Sequence, residues 1–349
     1  MRRVLGIAGW SGAGKTTLLV ELVAQLRAAG LAVAVLKHDA HGLDGGEPRR
    51  DSERLHAAGA AVVALGPGEG LARWRAGDDA LAAWVAELER RCDLVLLEGW
   101  KHARFPKLWL LRASEAAPPP EVPEVVAVLP WDGDRAAAAR ELAITRLDEA
   151  WRAAPVRAGV LVGGGSRRMG TPKQDLVVDG RSLLARAVAA LAAAAPVTLL
   201  GGAGNGDRDG DDELLAQLPD VPGVRGPFAG VLAALRWSSQ PWLIAACDLP
   251  RLSRTAVEWL LAQRAPGRWA VLPRVDGVVQ PLLAAYEPQA LPLLEAIAAG
   301  AAAGEGRAPA PSRLAGRPHV FTPEPPAALA DAWRGVNTPA ELAALLRGW

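Results

Sequence analysis

The chain has 349 residues, more than one hydrophobic core usually holds, so two domains are expected. Half of the residues are apolar, 22% are charged and the formal net charge is +1, an ordinary globular composition with no basis for a nucleic-acid surface. Met1-Arg2-Arg3 precedes only five apolar residues, too few for a signal peptide; no segment reaches membrane-span length, and the two cysteines lack metal spacing. A cytoplasmic protein with free thiols is therefore expected.

Short β-type runs then alternate with longer helical stretches, the pattern of a parallel α/β fold. Strands are expected at 4–8, 32–37, 61–65, 93–98, 107–112 and 124–129, with helices near 15–29, 51–58, 78–91 and 134–150. The proline-rich stretch 113–123 lies between two of these strands and reads as a loop within a domain. AWRAAPVR at 150–157 follows a helix and precedes a new strand at 158–162, so the expected domains are 1–152 and 153–349. The alternation restarts there, with helices near 181–195, 227–237, 253–264 and 287–300 and strands near 197–200, 242–247, 269–272 and 280–286. Residues 201–212 and 301–318 are expected loops, and no internal repeat is visible.

GWSGAGKT at 9–16 fits G-x-x-x-x-G-K-[ST], directly after a strand and opening a helix. The glycines let backbone N–H groups turn inward around phosphates, at a helix N-terminus that favours anions. Lys15 can reach β- and γ-phosphates, and the Thr16 hydroxyl can ligate Mg²⁺. Gly9, Gly12, Gly14, Lys15, Thr16 and Thr17 are the expected nucleotide-binding residues of this half. Glu98 ends the apolar run LVLLE, where a metal-facing carboxylate would sit; Asp93, the alternative, begins that run on the far side. Lys37 and His38 stand at the end of one strand and Lys101 and His102 just beyond another, so they are expected at the same edge.

AGWSGAGKTTLL, VLKHDAHGLD, Arg50-Asp51-Ser52 and LLEGWKH together resemble the molybdopterin-guanine dinucleotide biosynthesis adaptor proteins, MobB, over residues 3–150. The resemblance implies a P-loop NTPase-like sheet that binds GTP, hydrolyses it weakly and assists a guanylyltransferase or delivery to acceptor molybdoenzymes and their chaperones. It further implies a homodimer, and Lys15, Thr16 and Glu98 serving phosphates and Mg²⁺. No N/T-K-x-D base-reading motif is present, so guanine rests on the resemblance alone.

LVGGGSRRMGTPK at 161–173 is a second glycine-rich loop after a strand, without G-K-[ST]. Its consecutive glycines allow close backbone approach to a triphosphate, and Arg167, Arg168 and Lys173 supply charge. Such charge matters most when the α-phosphorus is attacked and pyrophosphate leaves. The pattern resembles molybdenum cofactor guanylyltransferases, MobA, together with LPDVPGVRGPFAG (218–230), IAACDLPRL (244–252), QPLLAAY (280–286) and VNTPAEL (336–342).

That resemblance, over 157–349, implies a Rossmann-like nucleotidyltransferase sheet of GT-A type with GTP and molybdopterin as substrates. It assigns Leu161, Val162, Gly163, Gly164, Lys173, Asp220 and Asp248 to the nucleotide, Asp248 to Mg²⁺, Lys173, Arg168 and Asp248 to catalysis, and Gln280 and Asn337 to the pterin substrate. The chain departs from the family pattern at Gly335 (usually asparagine), Pro172 (often aspartate) and Val162 (alanine), and at Gly201 or Gly202, where some members have asparagine. A molybdopterin cytidylyltransferase with a non-catalytic docking P-loop domain is the alternative; Gly163, where that family has alanine, leaves room for a purine. A sugar-phosphate or isoprenoid nucleotidyltransferase is a third reading, which gives no reason for the fusion.

Overall fold

A computed structural model describes residues 2–37, 62–66, 69–73, 80–163, 173–202, 215–304, 308–336 and 338–346. Two compact units divide the chain, Arg3–Thr145 and a second comprising Arg146–Trp349. Among the described residues no helix is long and apolar enough to cross a membrane.

The first unit is built on a five-stranded parallel sheet of order β2-β5-β1-β6-β7, with β1 Val4–Gly9, β2 Val33–Lys37, β5 Leu94–Glu98, β6 Lys107–Leu110 and β7 Val125–Leu129. β1, β5 and β6 are almost wholly buried, which is why they read as continuous apolar runs and not as alternating ones. α1 (Lys15–Ala28) follows β1 and buries Leu18, Leu19, Leu22 and Leu26 along one stripe. α2 (Ala80–Glu89) precedes β5, and α3 (Arg135–Ala153) follows β7.

The run expected as a strand at 61–65 forms β3 (Val62–Gly66), but outside the parallel sheet. It pairs antiparallel with β4 (Glu69–Arg73) as a separate hairpin. Only Pro67 and Gly68 separate the two strands, and so short a connection admits antiparallel pairing alone. β4, EGLAR, has no apolar alternation to announce it. The helix expected at 51–58 lies outside the described residues.

The second unit carries a seven-stranded sheet of order β12-β11-β8-β13-β17-β14-β18. These strands are β8 Arg157–Leu161, β11 Val197–Leu200, β12 Gln217–Leu218, β13 Trp242–Ala246, β14 Ala270–Val271, β17 Leu283–Tyr286 and β18 Val320–Phe321. Strands from β12 to β13 are parallel, whereas β17 runs antiparallel to both β13 and β14. The reversal follows from the connection: β14 reaches β17 through the hairpin of β15 (Arg274–Val275) and β16 (Val278–Val279), with no crossover helix. A further hairpin, β9 (Val177–Val178) with β10 (Arg181–Ser182), leads into α4 (Leu183–Ala192), so the helix expected from 181 begins two residues later.

Helices cover both faces, and the strands sort their side chains with period two. Leu243 and Ala245 face one core with α4 and α6 (Arg254–Ala262). Trp242 and Ile244 face the other with α5 (Pro227–Trp237) and α7 (Ala290–Ala302). In 301–318, expected as loop throughout, α7 continues to Ala302 and a 3₁₀ turn occupies Pro311–Leu314, whose Pro311 and Leu314 are buried. α8 (Pro339–Leu346) closes the described chain.

Candidate functional site

The first loop lies where the central strand β1 ends. Register sets its partners: Ile7 of β1 pairs with Glu98 of β5, and Glu98 with Lys37 of β2, so both side chains emerge at the same sheet edge. The Thr16 hydroxyl donates to Glu98 Oε1 at 2.5 Å, and Lys37 Nζ stands 3.9 Å from the same oxygen. Glu98 is 8% exposed. Two hard oxygen donors side by side suit a Mg²⁺ ion, which takes its remaining ligands from phosphate and water oxygens. Lys15 Nζ donates to the Trp10 carbonyl at 2.8 Å; burial lowers its pKa, and Glu98 opposes that shift.

Gly14 caps α1 in the left-handed region, φ 85°, which turns the loop into the helix without a strained Cβ. Gly12 and Thr17 are exposed on the same loop and first turn. Asp93 is fully buried at the opposite end of β5, where it accepts the Ala32 N–H at 2.7 Å; that bond is a structural role. His102 is exposed, and His38 lies outside the described residues.

Sequence reasoning did not find Arg135. From the start of α3 its guanidinium donates to the carbonyls of Ala13 (2.9 Å), Pro130 (2.7 Å) and Leu111, and it tightens the loop from 122 residues away. No local pattern marks an arginine that serves a loop so distant.

The second loop repeats the placement on β8. Leu161 ends the strand, Val162 N–H still donates to Leu200 O (2.9 Å), and Gly163 then turns at φ 96°. Gly163 N–H donates to Gln174 Oε1 at 3.3 Å, beside Lys173 in the 3₁₀ turn Lys173–Asp175. Asp248 follows the end of the neighbouring strand β13. Lys173 Nζ meets Asp248 Oδ2 at 2.7 Å, each side chain 22% exposed. Residues 75 apart in sequence are thus joined at the carboxyl ends of two adjacent parallel strands.

Asp220 forms a second part of this edge. A Cβ on Gly201 would lie 3.0 Å from Asp220 Oδ1 and 2.9 Å from the Val162 carbonyl, so glycine lets the carboxylate rest against the loop. Gln217 Nε2 donates to Gly201 O at 2.7 Å and holds that turn. Desolvation raises the Asp220 pKa. Beneath Asp248, the Cys247 thiol is buried, and desolvation together with the aspartate pushes its pKa up to about 12.

The 335–336 segment backs Asp248. Val336 N–H donates to the Asp248 carbonyl at 3.1 Å, while Val336 itself packs with Val178 and Leu183. A Cβ on Gly335 would stand 3.6 Å from Asp248 Oδ1, an ordinary contact, so the position where the family usually has asparagine faces Asp248 and admits a β-carbon. Gln280 is fixed through its backbone N–H to Pro273 O (2.7 Å), and Tyr286 Oη donates to the next carbonyl, Pro281 O (2.7 Å). Among the described residues no hydrogen bond joins the Gln280 side chain to the Lys173–Asp248 pair. Gly164, Arg167, Arg168, Pro172 and Asn337 lie outside the described residues.

Comparison with known proteins matches two families to two stretches of the chain. The family described as Molybdopterin guanine dinucleotide synthesis protein B matches residues 4–131, and the MobA-like NTP transferase domain matches 158–313. The Molybdopterin-guanine dinucleotide biosynthesis adapter protein of Haemophilus influenzae is 37% identical over 35% of this chain and 71% of its own. The Probable molybdenum cofactor guanylyltransferase of Bacillus subtilis is 32% identical over 39% of this chain and 68% of its own. The chain belongs to both families. Its first half is MobB-like and its second half MobA-like. Among solved structures, Molybdopterin-guanine dinucleotide biosynthesis protein A from Archaeoglobus fulgidus covers 54% of this chain and 96% of its own at 23% identity, with a TM-score of 0.45.

Proposed function

We propose that this chain makes the guanine dinucleotide form of the molybdenum cofactor: residues 153–349 transfer GMP from GTP to molybdopterin, and residues 1–152 bind GTP, hydrolyse it weakly and assist synthesis or delivery to acceptor molybdoenzymes in the cytoplasm. The observation that carries the reading is the Lys173–Asp248 pair at 2.7 Å, next to Gln174, whose Oε1 accepts the Gly163 N–H, at the carboxyl ends of β8 and β13. Membership of the two families supports the pairing of the activities on one chain.

In the transfer, an oxygen of the molybdopterin phosphate attacks the GTP α-phosphorus, forming a P–O–P bond while the bond to the β-phosphate breaks and pyrophosphate departs. The attacking oxygen is already ionised, so no general base is needed and catalysis consists of positioning and charge neutralisation. Gly163 permits close approach of the triphosphate, and the Lys173 ammonium stabilises charge on it. Asp220 fixes the guanosine, and Gln280 and Asn337 serve the pterin side. Arg168 adds positive charge at the leaving group.

Asp248 supplies one carboxylate, which suits Mg²⁺, an ion that keeps several waters and takes its remaining oxygens from phosphates. When bound, the ion would neutralise charge on the departing pyrophosphate. In the first unit Thr16 and Glu98 are the corresponding oxygen donors.

Incubation of the full chain with molybdopterin, Mg²⁺ and each of the four nucleoside triphosphates tests the proposal. A guanine dinucleotide formed with release of pyrophosphate is the expected product. A cytosine dinucleotide, or none, refutes it.

A further inference from the structure

The first unit lacks the expected base-reading motif, and the order of its sheet bears on where a base would lie. Thr16, Glu98 and Lys37 gather on the β5 and β2 side of the phosphate loop, so the metal and the outer phosphates belong there. A nucleotide running away from that side would carry its α-phosphate, ribose and base across β1, toward the ends of β6 and β7. Two strand spacings, about 10 Å, separate β1 from β7, and the loop that follows β7 is Pro130-Trp131-Asp132-Gly133-Asp134.

Trp131 in that loop is 53% exposed, an unusual state for the largest side chain. The Arg135 guanidinium lies over its ring at 5.2 Å. The same guanidinium donates to Ala13 O in the phosphate loop (2.9 Å), to Leu111 O after β6 and to Pro130 O beside Trp131 (2.7 Å). One side chain therefore ties the phosphate loop to the loop that carries the exposed indole. Of the two carboxylates there, Asp134 is occupied: its Oδ1 accepts the Ala137 N–H at 3.0 Å and caps α3. Asp132 is exposed, and it is the charge that opposes the burial-driven lowering of the Arg135 pKa.

We infer that Trp131 and Asp132 form the base site of the nucleotide held by Gly9–Thr16, and that the base is guanine; the inference rests on reading that loop as a nucleotide site. The indole stacks on the purine, as aromatic side chains do on any base face. The Asp132 carboxylate accepts from N1–H and the 2-amino group, two donors that only guanine presents side by side. Adenine offers a lone pair at N1 and is turned away. Arg135 is a positioning residue, which holds the platform at a set distance from the phosphates.

The test uses the full chain carrying Lys173→Ala and Asp248→Ala, which silence the second site, and measures binding of GTP, ATP, xanthosine triphosphate and inorganic tripolyphosphate by calorimetry. Trp131→Ala should weaken GTP about tenfold, the factor equivalent to about 1.4 kcal/mol of stacking, and leave tripolyphosphate unchanged. Trp131→Phe should recover most of the loss. Asp132→Asn should abolish the preference for GTP over ATP and raise affinity for xanthosine triphosphate, whose 2-carbonyl accepts from the new amide. Trp131 and Asp132 are exposed, so these variants keep the core. If Lys15→Ala abolishes binding while the Trp131 and Asp132 variants bind GTP and ATP as the parent does, the base site is refuted and the nucleotide loop stands. If Lys15→Ala changes nothing, the loop reading falls and this inference falls with it.

Discussion

Replacing Gly201 by alanine tests the close approach of the Val162 carbonyl and the Asp220 carboxylate at the second unit's sheet edge. Gly201 sits at φ 84°, where a β-carbon costs about 1–2 kcal/mol of backbone strain. Its new methyl would also meet the Val162 carbonyl at 2.9 Å and Asp220 Oδ1 at 3.0 Å. The first of these is backbone directly after β8, so relief requires the loop to move, an overpacking penalty of about 1–3 kcal/mol. Gly223 is the control: its φ is 78° and nothing stands within 4 Å of a β-carbon, so Gly223→Ala bears the strain alone. Gly201→Ala should lose about 2–5 kcal/mol against about 1–2 for Gly223→Ala, read from urea titrations. Displacing the Asp220 carboxylate should also raise KM for GTP about tenfold, the effect of losing one charge-assisted hydrogen bond; Gly223→Ala should leave KM unchanged. Equal stability losses in the two variants, with wild-type KM in both, would refute the placement of Asp220 by Gly201.

Three further outcomes follow from the same geometry. Asp248→Asn and Lys173→Met should each lower pyrophosphate release at least about a hundredfold, the scale of losing one preorganised charge at a reacting group, with urea midpoints close to wild type; turnover above about a tenth of wild type in either would remove that residue from the transfer step. Thr16→Val should make GTP binding at the first loop indifferent to Mg²⁺ in a fluorescence titration of a chain whose second site is silenced, and an unchanged Mg²⁺ dependence counts against Thr16 and Glu98 as its donors. With a pKa of about 12, Cys247 has roughly one part in ten thousand as thiolate at pH 8, against about a quarter for an ordinary thiol near 8.5. Its raised pKa favours the neutral thiol up to that pH, so native alkylation by iodoacetamide should be at least a thousandfold slower than in urea and rise with pH; mass spectrometry showing equal rates would contradict the burial.

What a sequence can announce is chemistry that lies within one strand–loop–helix step. GWSGAGKT and LVGGGSRRMGTPK each follow an apolar run, and Glu98 and Asp248 each end or follow one, so the α/β class and these loops were legible from local order, while Asp220, Asp248, Gln280 and Asn337 were singled out through the family resemblance. Pairings that depend on connections were less so. β3 left the parallel sheet because β4, a strand without apolar alternation, lay two residues beyond it. β17 reversed because a hairpin, not a helix, led into it.

The site shows the same limit. The sequence by itself determined that two glycine-rich loops would start at strand ends, since a buried parallel strand must deliver its next residues to the sheet edge. Only the tertiary structure decided who meets whom there: Lys173 with Asp248, Thr16 with Glu98, Asp220 against Gly201, and Arg135 across to Ala13 and Trp131. These meetings are set by strand order and register, which adjacent residues do not encode, because hydrogen-bonded neighbours in a parallel sheet are separated in sequence by whole crossovers.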